Sequence, residues 1–124
     1  MPKKCVIITA SGFQDEEVVY PYYRLMEEGH SVEVATKDGA VVYGKYGVPA
    51  RATMATTELK SSNFDCVILP GGFEAPDRVR LLPEVLKFVQ KMDQQKKLVA
   101  AICHGPWVMI SAEICEGRKM TAFW

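Results

Sequence analysis

Apolar runs of strand length alternate with amphipathic helix patterns along most of the chain, and this alternation is what most limits its possible folds. The strand-length runs lie at residues 5–10, 31–36, 66–69 and 98–102. Between them, one helix pattern lies before Gly29, and a second begins at Pro83 with apolar residues at spacings of three and four. Nearly continuous apolar strands separated by helices predict an α/β fold with a parallel sheet covered on both faces.

Local signals predict where several of these elements begin and end. Asp15 is expected to cap the first helix and Gly29 to end it. Residues 40–52 contain glycine-flanked tyrosines, which predicts an irregular hairpin or an excursion at the sheet edge. A further helix is expected over residues 106–113, with Gly117 as its stop, and residues 119–124 are expected to begin another strand.

Length, charge and cysteine content narrow the class of protein. A chain of 124 residues predicts a single domain, residues 1–124. Fifteen basic residues balance fifteen acidic ones without a basic cluster, so neither nucleic acid nor an anionic membrane is an expected partner. We find no run of membrane-spanning length and no signal-peptide pattern, which predicts a cytoplasmic protein. The four cysteines lack metal-ligand spacing, so no metal is expected.

Cys103 lies where a strand is predicted to turn sharply into a helix. The small residues Ala101 and Gly105 flank it at two positions on either side, leaving room for a tight, strained turn. The pattern parallels the G-x-S-x-G nucleophile elbow, with alanine and cysteine substituted. Unpaired N–H groups at a helix start favour an anion, so a thiolate is expected to form readily there. We therefore predict that Cys103 is a reactive nucleophile.

Groups that could assist Cys103 follow other strands and meet at the same sheet edge. The backbone N–H of His104 is the donor that directly follows the nucleophile, whereas adjacency in sequence does not make its ring the base. Gly72 either belongs to a plain turn or supplies a second donor to an oxyanion.

An acidic run at the start of the first helix has two interpretations. Carboxylates are favoured at helix N-termini, so Asp15, Glu16 and Glu17 could serve only the helix. One of them could instead face the elbow and tune Cys103. The residues alone do not choose between them.

The motif A-A-I-C-H-G-P at residues 100–106, with L-P-G-G at 69–72, Glu17 and Tyr20-Pro21, closely resembles the PfpI/ThiJ family. This family belongs to the class I glutamine amidotransferase-like superfamily, and the resemblance covers essentially the whole chain. It implies a flavodoxin-like three-layer sandwich with a mostly parallel sheet. It also implies chemistry without cofactors and a homo-oligomer, either a dimer or a hexamer.

The resemblance assigns roles to individual residues. It implies Cys103 as nucleophile, the backbones of Gly72 and His104 as oxyanion donors, and Glu17 as the carboxylate bonded to the thiol. An acid from a neighbouring subunit is implied as partner of the histidine, at Asp77 or alternatively at Glu74.

The chain departs from the family pattern at two positions and in its length. It has Gln14 where peptidase-like members have a glutamate, and Phe123 where many have a tyrosine. Family members continue for a few dozen residues with further strands and a closing helix. The chain is therefore expected to be a fragment or a cleaved piece, truncated at the C-terminus.

Three classes of function fit these features. The first is a cysteine-dependent enzyme acting on reactive carbonyls, either methylglyoxal-like 2-oxoaldehydes or their adducts, as a glutathione-independent glyoxalase or deglycase. A variant of it is a peptidase or amidase working through an acyl-thiolate, so the substrate is a small carbonyl compound or a peptide. The second is a non-enzymatic stress protein whose Cys103 senses oxidants. The third is a structural relic with an idle cysteine.

Overall fold

Seven strands and four helices follow one another along the chain in the computed structural model, which describes residues 1–124. They are β1 (Lys4–Ile8), α1 (Asp15–Glu27), β2 (Ser31–Thr36), β3 (Val42–Tyr43), β4 (Pro49–Ala50), β5 (Met54–Ala55), β6 (Cys66–Leu69), α2 (Ala75–Val79), α3 (Pro83–Gln94), β7 (Leu98–Ala101) and α4 (Pro106–Ser111). Single turns of 3-10 helix lie at Lys37–Gly39, Thr56–Glu58 and Ser61–Asn63. No helix in the chain is both long enough and apolar enough to cross a membrane.

Five strands form one parallel sheet in the order β5-β2-β1-β6-β7. Strand β1 lies at its centre, where Cys5 pairs with Val32 of β2 on one side and with Cys66 of β6 on the other. Strands β3 and β4 form a separate antiparallel ribbon. The predicted parallel sheet is confirmed, and the predicted hairpin within residues 40–52 is present.

The side-chain alternation of the strands divides the core into two layers, one on each face of the sheet. Val6 and Ile8 of β1 point towards α3 and α4, while Cys5 and Ile7 point towards α1 and the β3–β4 ribbon. All four are almost fully buried, which is why β1 is apolar at consecutive positions rather than at alternate ones. The three-layer sandwich implied by the family resemblance is therefore observed.

Helix α4 ends earlier than its glycine signal predicts. Its last residue is Ser111, and the chain turns at Glu113, which takes a left-handed φ of 60°. The amide of Ile114 then donates to the carbonyl of Met109, closing the helix end in a Schellman-type turn. The prediction that Gly117 stops this helix is wrong because a non-glycine residue makes the turn. Residues 119–124 do not form the predicted strand.

Asp15 does not cap α1 as the sequence predicts. The N-cap is Gln14, and Asp15, only 6% exposed, points away from the helix end. Its Oδ1 accepts a hydrogen bond from the amide of Tyr46 at 2.9 Å, and its Oδ2 accepts one from the amide of Val48 at 3.0 Å. The carboxylate therefore anchors the loop between β3 and β4 to the first turn of α1. A local rule for caps misses this contact because its partners lie about 30 residues away.

Replacing Asp15 with asparagine is expected to destabilise the protein by about 1–3 kcal/mol. An amide presents one acceptor oxygen instead of two, so one of the two loop N–H groups loses its partner. Urea unfolding measures the change. The control is Glu16→Gln, an exposed neighbour whose substitution should stay within about 0.5 kcal/mol of the original protein. Equal stability of the two variants would contradict the anchoring role of Asp15.

Candidate active site

The turn between β7 and α4 presents Cys103 in a strained backbone conformation. Cys103 has a φ of 60°, a left-handed conformation that costs a non-glycine residue energy and is common at functional sites. The turn is held by the amide of Ile102, which donates to the carbonyl of Leu69 at 3.2 Å, and by that of Gly105, which donates to the carbonyl of Ile102 at 2.8 Å. A Cβ at Gly105 would collide with the carbonyl oxygen of Leu69. The elbow geometry predicted for residues 101–105 is present.

Gly71 is the point where three groups of the site converge. A Cβ placed there would lie 2.6 Å from Cβ of Cys103, 2.7 Å from Oε1 of Glu17 and 2.9 Å from the amide nitrogen of His104. Only a residue without a side chain allows these groups to approach so closely. Two consecutive glycines after a strand are a sequence signal for such an approach, and the structure assigns it to Gly71 rather than to Gly72, the glycine of the pair that the sequence had suggested as a donor.

Of the three acids at the start of α1, Glu17 is the one directed at the elbow. Its Oε1 accepts a hydrogen bond from the amide of Gly71 at 2.8 Å, while Asp15 binds the β3–β4 loop. Glu16 accepts a hydrogen bond from the side chain of Gln14 on the surface. The structure therefore separates the three carboxylates that the sequence pattern left equivalent.

Burial raises the pKa of the Glu17 carboxyl above its ordinary value of 4.5. The hydrogen bond from Gly71 opposes this shift, the charge of Glu16 adds to it, and His104 and the Cys103 thiol oppose it. A carboxyl group with a raised pKa is a better proton acceptor than an ordinary glutamate. Glu17 therefore has both the position and the basicity to exchange a proton beside Cys103.

The imidazole of His104 lies beside the sulfur of Cys103, although neighbouring residues in a sequence need not bring their side chains together. Its Nδ1 is 3.8 Å from Sγ of Cys103. The ring packs against Phe123, with centroids 4.7 Å apart, and lies farther from Trp107, at 6.2 Å. No carboxylate of the chain forms a hydrogen bond or ion pair with this ring. Nothing in the sequence pattern distinguishes Trp107 from the other residues of the predicted helix, and Phe123 stands out there as a departure from the family pattern.

Two backbone N–H groups in the turns that follow β6 and β7 have no acceptor within the protein. Neither the amide of Gly72 nor that of His104 donates to another group of the chain. Gly72 has a φ of 110°, and a Cβ there would collide with the backbone of residues 12–14, so only glycine fits this turn. Unpaired donors of this kind are what an oxyanion requires.

The two acids considered as partners of His104 lie apart from it within the chain. Asp77 is 64% exposed and lies 3.8 Å from Arg80, and Glu74 is 58% exposed and pairs with Arg78 at 2.8 Å. Both side chains are on the surface, where a second copy of the chain could reach them.

The remaining cysteines differ from Cys103 in their surroundings. Cys5 and Cys66 are buried on adjacent strands, and burial raises the pKa of Cys66 to about 12. Burial also raises the pKa of the Cys115 thiol. Elevated pKa values leave these thiols protonated and poorly nucleophilic at neutral pH. No group of three histidine, cysteine, aspartate or glutamate side chains is arranged to hold a metal ion.

Comparison with known proteins shows which family this sequence matches. The sequence model of the DJ-1/PfpI family matches residues 3–124. The chain is 42% identical over 120 residues to the protein named Deglycase PfpI from Pyrococcus furiosus, covering 97% of the chain and 72% of that protein. It is 36% identical over 125 residues to Protein/nucleic acid deglycase 2 from Escherichia coli, covering 98% of the chain and 72% of that protein.

A solved structure shows the same fold. It is a protein from Anabaena variabilis with a DJ-1/ThiJ/PfpI-like domain and a ferritin-like domain. The TM-score is 0.93 at 38% sequence identity, and the match covers 98% of the chain and 35% of that two-domain protein.

Proposed function

Because the chain belongs to the DJ-1/PfpI family, we propose that it is a cysteine-dependent deglycase acting on adducts of small 2-oxoaldehydes with amines or thiols. Two relatives named deglycases support the reaction class. The observation that carries the proposal is the convergence of the Cys103 thiol, the Glu17 carboxyl and the amide of His104 around Gly71.

The reaction follows from these groups. The sulfur of Cys103 displaces the amine from the carbinol carbon of a methylglyoxal adduct, giving a hemithioacetal and the free amine. Moving the proton on that carbon to the neighbouring carbonyl carbon, and the hydroxyl proton to the carbonyl oxygen, converts the hemithioacetal into a lactoyl thioester. Water then cleaves the thioester to lactate and the free thiol. The balance is adduct plus water giving amine plus lactate, without a metal, an oxidant or an organic cofactor.

Three groups of the site serve the proton transfers and the developing charge of this sequence. Glu17 carries the proton between the two carbons, since its carboxyl lies next to the thiol and its raised pKa suits both taking and returning it. The amides of Gly72 and His104 stabilise negative charge on the substrate oxygen. The imidazole of His104, 3.8 Å from the sulfur, receives the thiol proton and passes it to the nitrogen of the departing amine.

We further propose a homo-oligomer in which Asp77, or alternatively Glu74, of one copy reaches His104 of another. Both acids are exposed, and His104 lacks a carboxylate partner in its own chain. A dimer or a hexamer and a cytoplasmic location remain predictions.

The test is to incubate the protein with methylglyoxal adducts of N-acetyl-lysine and N-acetyl-cysteine and to follow lactate and the released amine or thiol by NMR. Stoichiometric release of both products is expected. Free methylglyoxal should be assayed separately, since adducts dissociate spontaneously to it. The protein would be a glyoxalase rather than a deglycase if it formed lactate from free methylglyoxal while the adducts disappeared no faster than they dissociate spontaneously.

A second candidate is a peptidase or amidase, which the short distance between His104 and Cys103 favours. A thiol beside an imidazole is the arrangement used for acyl transfer from amides. Fluorogenic peptide amides distinguish the two, because turnover of amides without release of lactate from adducts would favour the peptidase. A redox sensor would instead show no turnover, and its Cys103 peptide would gain oxygen in mild peroxide.

Substituting Glu17 with glutamine is expected to lower the rate of adduct hydrolysis about 100-fold, because an amide cannot exchange the proton. The glutamine oxygen can still accept the hydrogen bond from Gly71, so the site should keep its shape. Initial rates of lactate release at saturating adduct measure the effect.

The same variant should not lose stability. The pKa of Glu17 is higher in the folded protein than in the unfolded chain, where it is about 4.5. Ionisation of this carboxyl therefore has no effect on stability below about pH 4.5. As the pH rises from there through the raised pKa of the folded protein, ionisation increasingly opposes folding. The E17Q variant should therefore match the original protein in urea unfolding at pH 4 and equal or exceed it at pH 7. A loss of stability that grows with pH would contradict this account.

A further inference from the structure

We propose that Phe123 is the positioning residue that holds the His104 imidazole against the Cys103 thiol. The inference rests on the proposed function, because it assigns a means of aligning the group that receives the thiol proton. In most nucleophile–histidine pairs a third group orients the imidazole through a hydrogen bond. Here no side chain of the same chain forms such a bond, and within the chain the imidazole instead packs against an aromatic ring, which would orient it together with any acid from a second copy.

The backbone of Phe123 is fastened to the elbow at two points. Its amide donates to the carbonyl of Cys103 at 2.8 Å, and its carbonyl accepts from Nε1 of Trp107 at 2.9 Å. Trp107 belongs to α4 and is itself covered by the guanidinium of Arg80, 5.1 Å from its ring. Both attachments are to residues of the elbow or of the helix that follows it. Phe123 therefore keeps a fixed position relative to the nucleophile although residues 119–124 have no regular secondary structure.

From this position the ring of Phe123 packs against the imidazole of His104. The two centroids are 4.7 Å apart with an interplanar angle of 49°, within the range of favourable aromatic pairs. The ring leaves Nδ1 of His104 directed at the sulfur, 3.8 Å away. Without Phe123, the imidazole would lose its nearest aromatic neighbour and gain rotamers that point away from Cys103.

The neighbouring Trp124 offers a matched control. Its ring stacks on Phe123 at 6.3 Å, but it is 90% exposed and forms no aromatic contact with His104. Removing it changes the aromatic surface of the same segment without removing the contact with the imidazole.

The experiment measures how fast iodoacetamide alkylates Cys103 at pH 7, by mass spectrometry of the peptide that contains it. This readout does not depend on turnover, so it tests the positioning role even if the protein hydrolyses no adduct. We expect Phe123→Ala to slow alkylation about three- to tenfold, the range set by one aromatic contact. Phe123→Tyr, which keeps the ring, should restore the original rate, and Trp124→Ala should stay near it.

A double-mutant cycle separates positioning from a general structural role. If Phe123 acts through the imidazole, Phe123→Ala should have no further effect in a His104→Ala protein. An equal slowing in both backgrounds, or an unchanged rate in Phe123→Ala alone, would overturn the proposal. Thermal unfolding of each variant shows whether the compared proteins are folded.

Discussion

Replacing Cys103 with serine should reduce the hydrolysis of methylglyoxal adducts at least about a thousandfold, leaving little beyond the spontaneous rate. A serine hydroxyl fits the elbow, so the backbone and its neighbours should be preserved. At neutral pH, however, the hydroxyl is a far weaker nucleophile than a thiol and remains protonated. Lactate release followed by NMR measures the loss, and circular dichroism and urea unfolding show whether the fold is retained.

The matched control is Cys115→Ser. Cys115 is also a partly exposed free thiol, but it lies beyond α4, where the charges acting on it are those of Arg118 and Asp93. Its replacement should leave adduct hydrolysis within about twofold of the original rate, because Cys115 is not part of the site and serine differs from cysteine by a single atom. Hydrolysis that survives Cys103→Ser, or that falls equally in Cys115→Ser, would refute the assignment of the nucleophile.

Substituting Gly105 with alanine is expected to destabilise the protein by about 3 kcal/mol or more. The new Cβ would overlap the carbonyl oxygen of Leu69 and lie 2.9 Å from that of Ile102. Both obstacles are backbone atoms, so the collision can be relieved only by separating the start of α4 from β6. Because domains of this size are stable by only about 5–15 kcal/mol, urea unfolding should show a large shift of the midpoint.

The control is Gly29→Ala, which introduces backbone strain but no steric collision, and whose stability is compared with that of Gly105→Ala. Gly29 has a φ of 85°, and a Cβ there would meet nothing within 4 Å. The substitution should cost about 1 kcal/mol through strain alone. Equal midpoints for the two variants would show that the approach of the elbow to Leu69 is looser than described.

The secondary structure was largely predictable because it depends on the pattern of apolar, glycine and proline residues within each short segment. Strand β2 begins and ends where its alternation predicts, and β6 matches its apolar run. Gly29 ends α1 as expected, with the amide of His30 bonded to the carbonyl of Leu25. Helix α2 and strand β5 were not predicted, since five and two residues are too short to show a period.

The sequence by itself determined the parallel sheet, its two covered faces and the elbow at Cys103. Each of these depends on side-chain size and polarity at neighbouring positions, and these set the backbone conformation and the face that is buried. The resemblance to a family then pointed to Glu17 among three adjacent acids, a choice that the local pattern could not make.

The tertiary structure alone decided which side chains meet at the elbow. Glu17 reaches the amide of Gly71 across 54 positions of sequence, and Asp15 reaches the β3–β4 loop across 31. The ring of His104 faces the thiol while it packs against Phe123. These contacts follow from strand order and from the rotation of α1 about its axis. Both are fixed by packing the whole core, so no stretch of neighbouring residues encodes them.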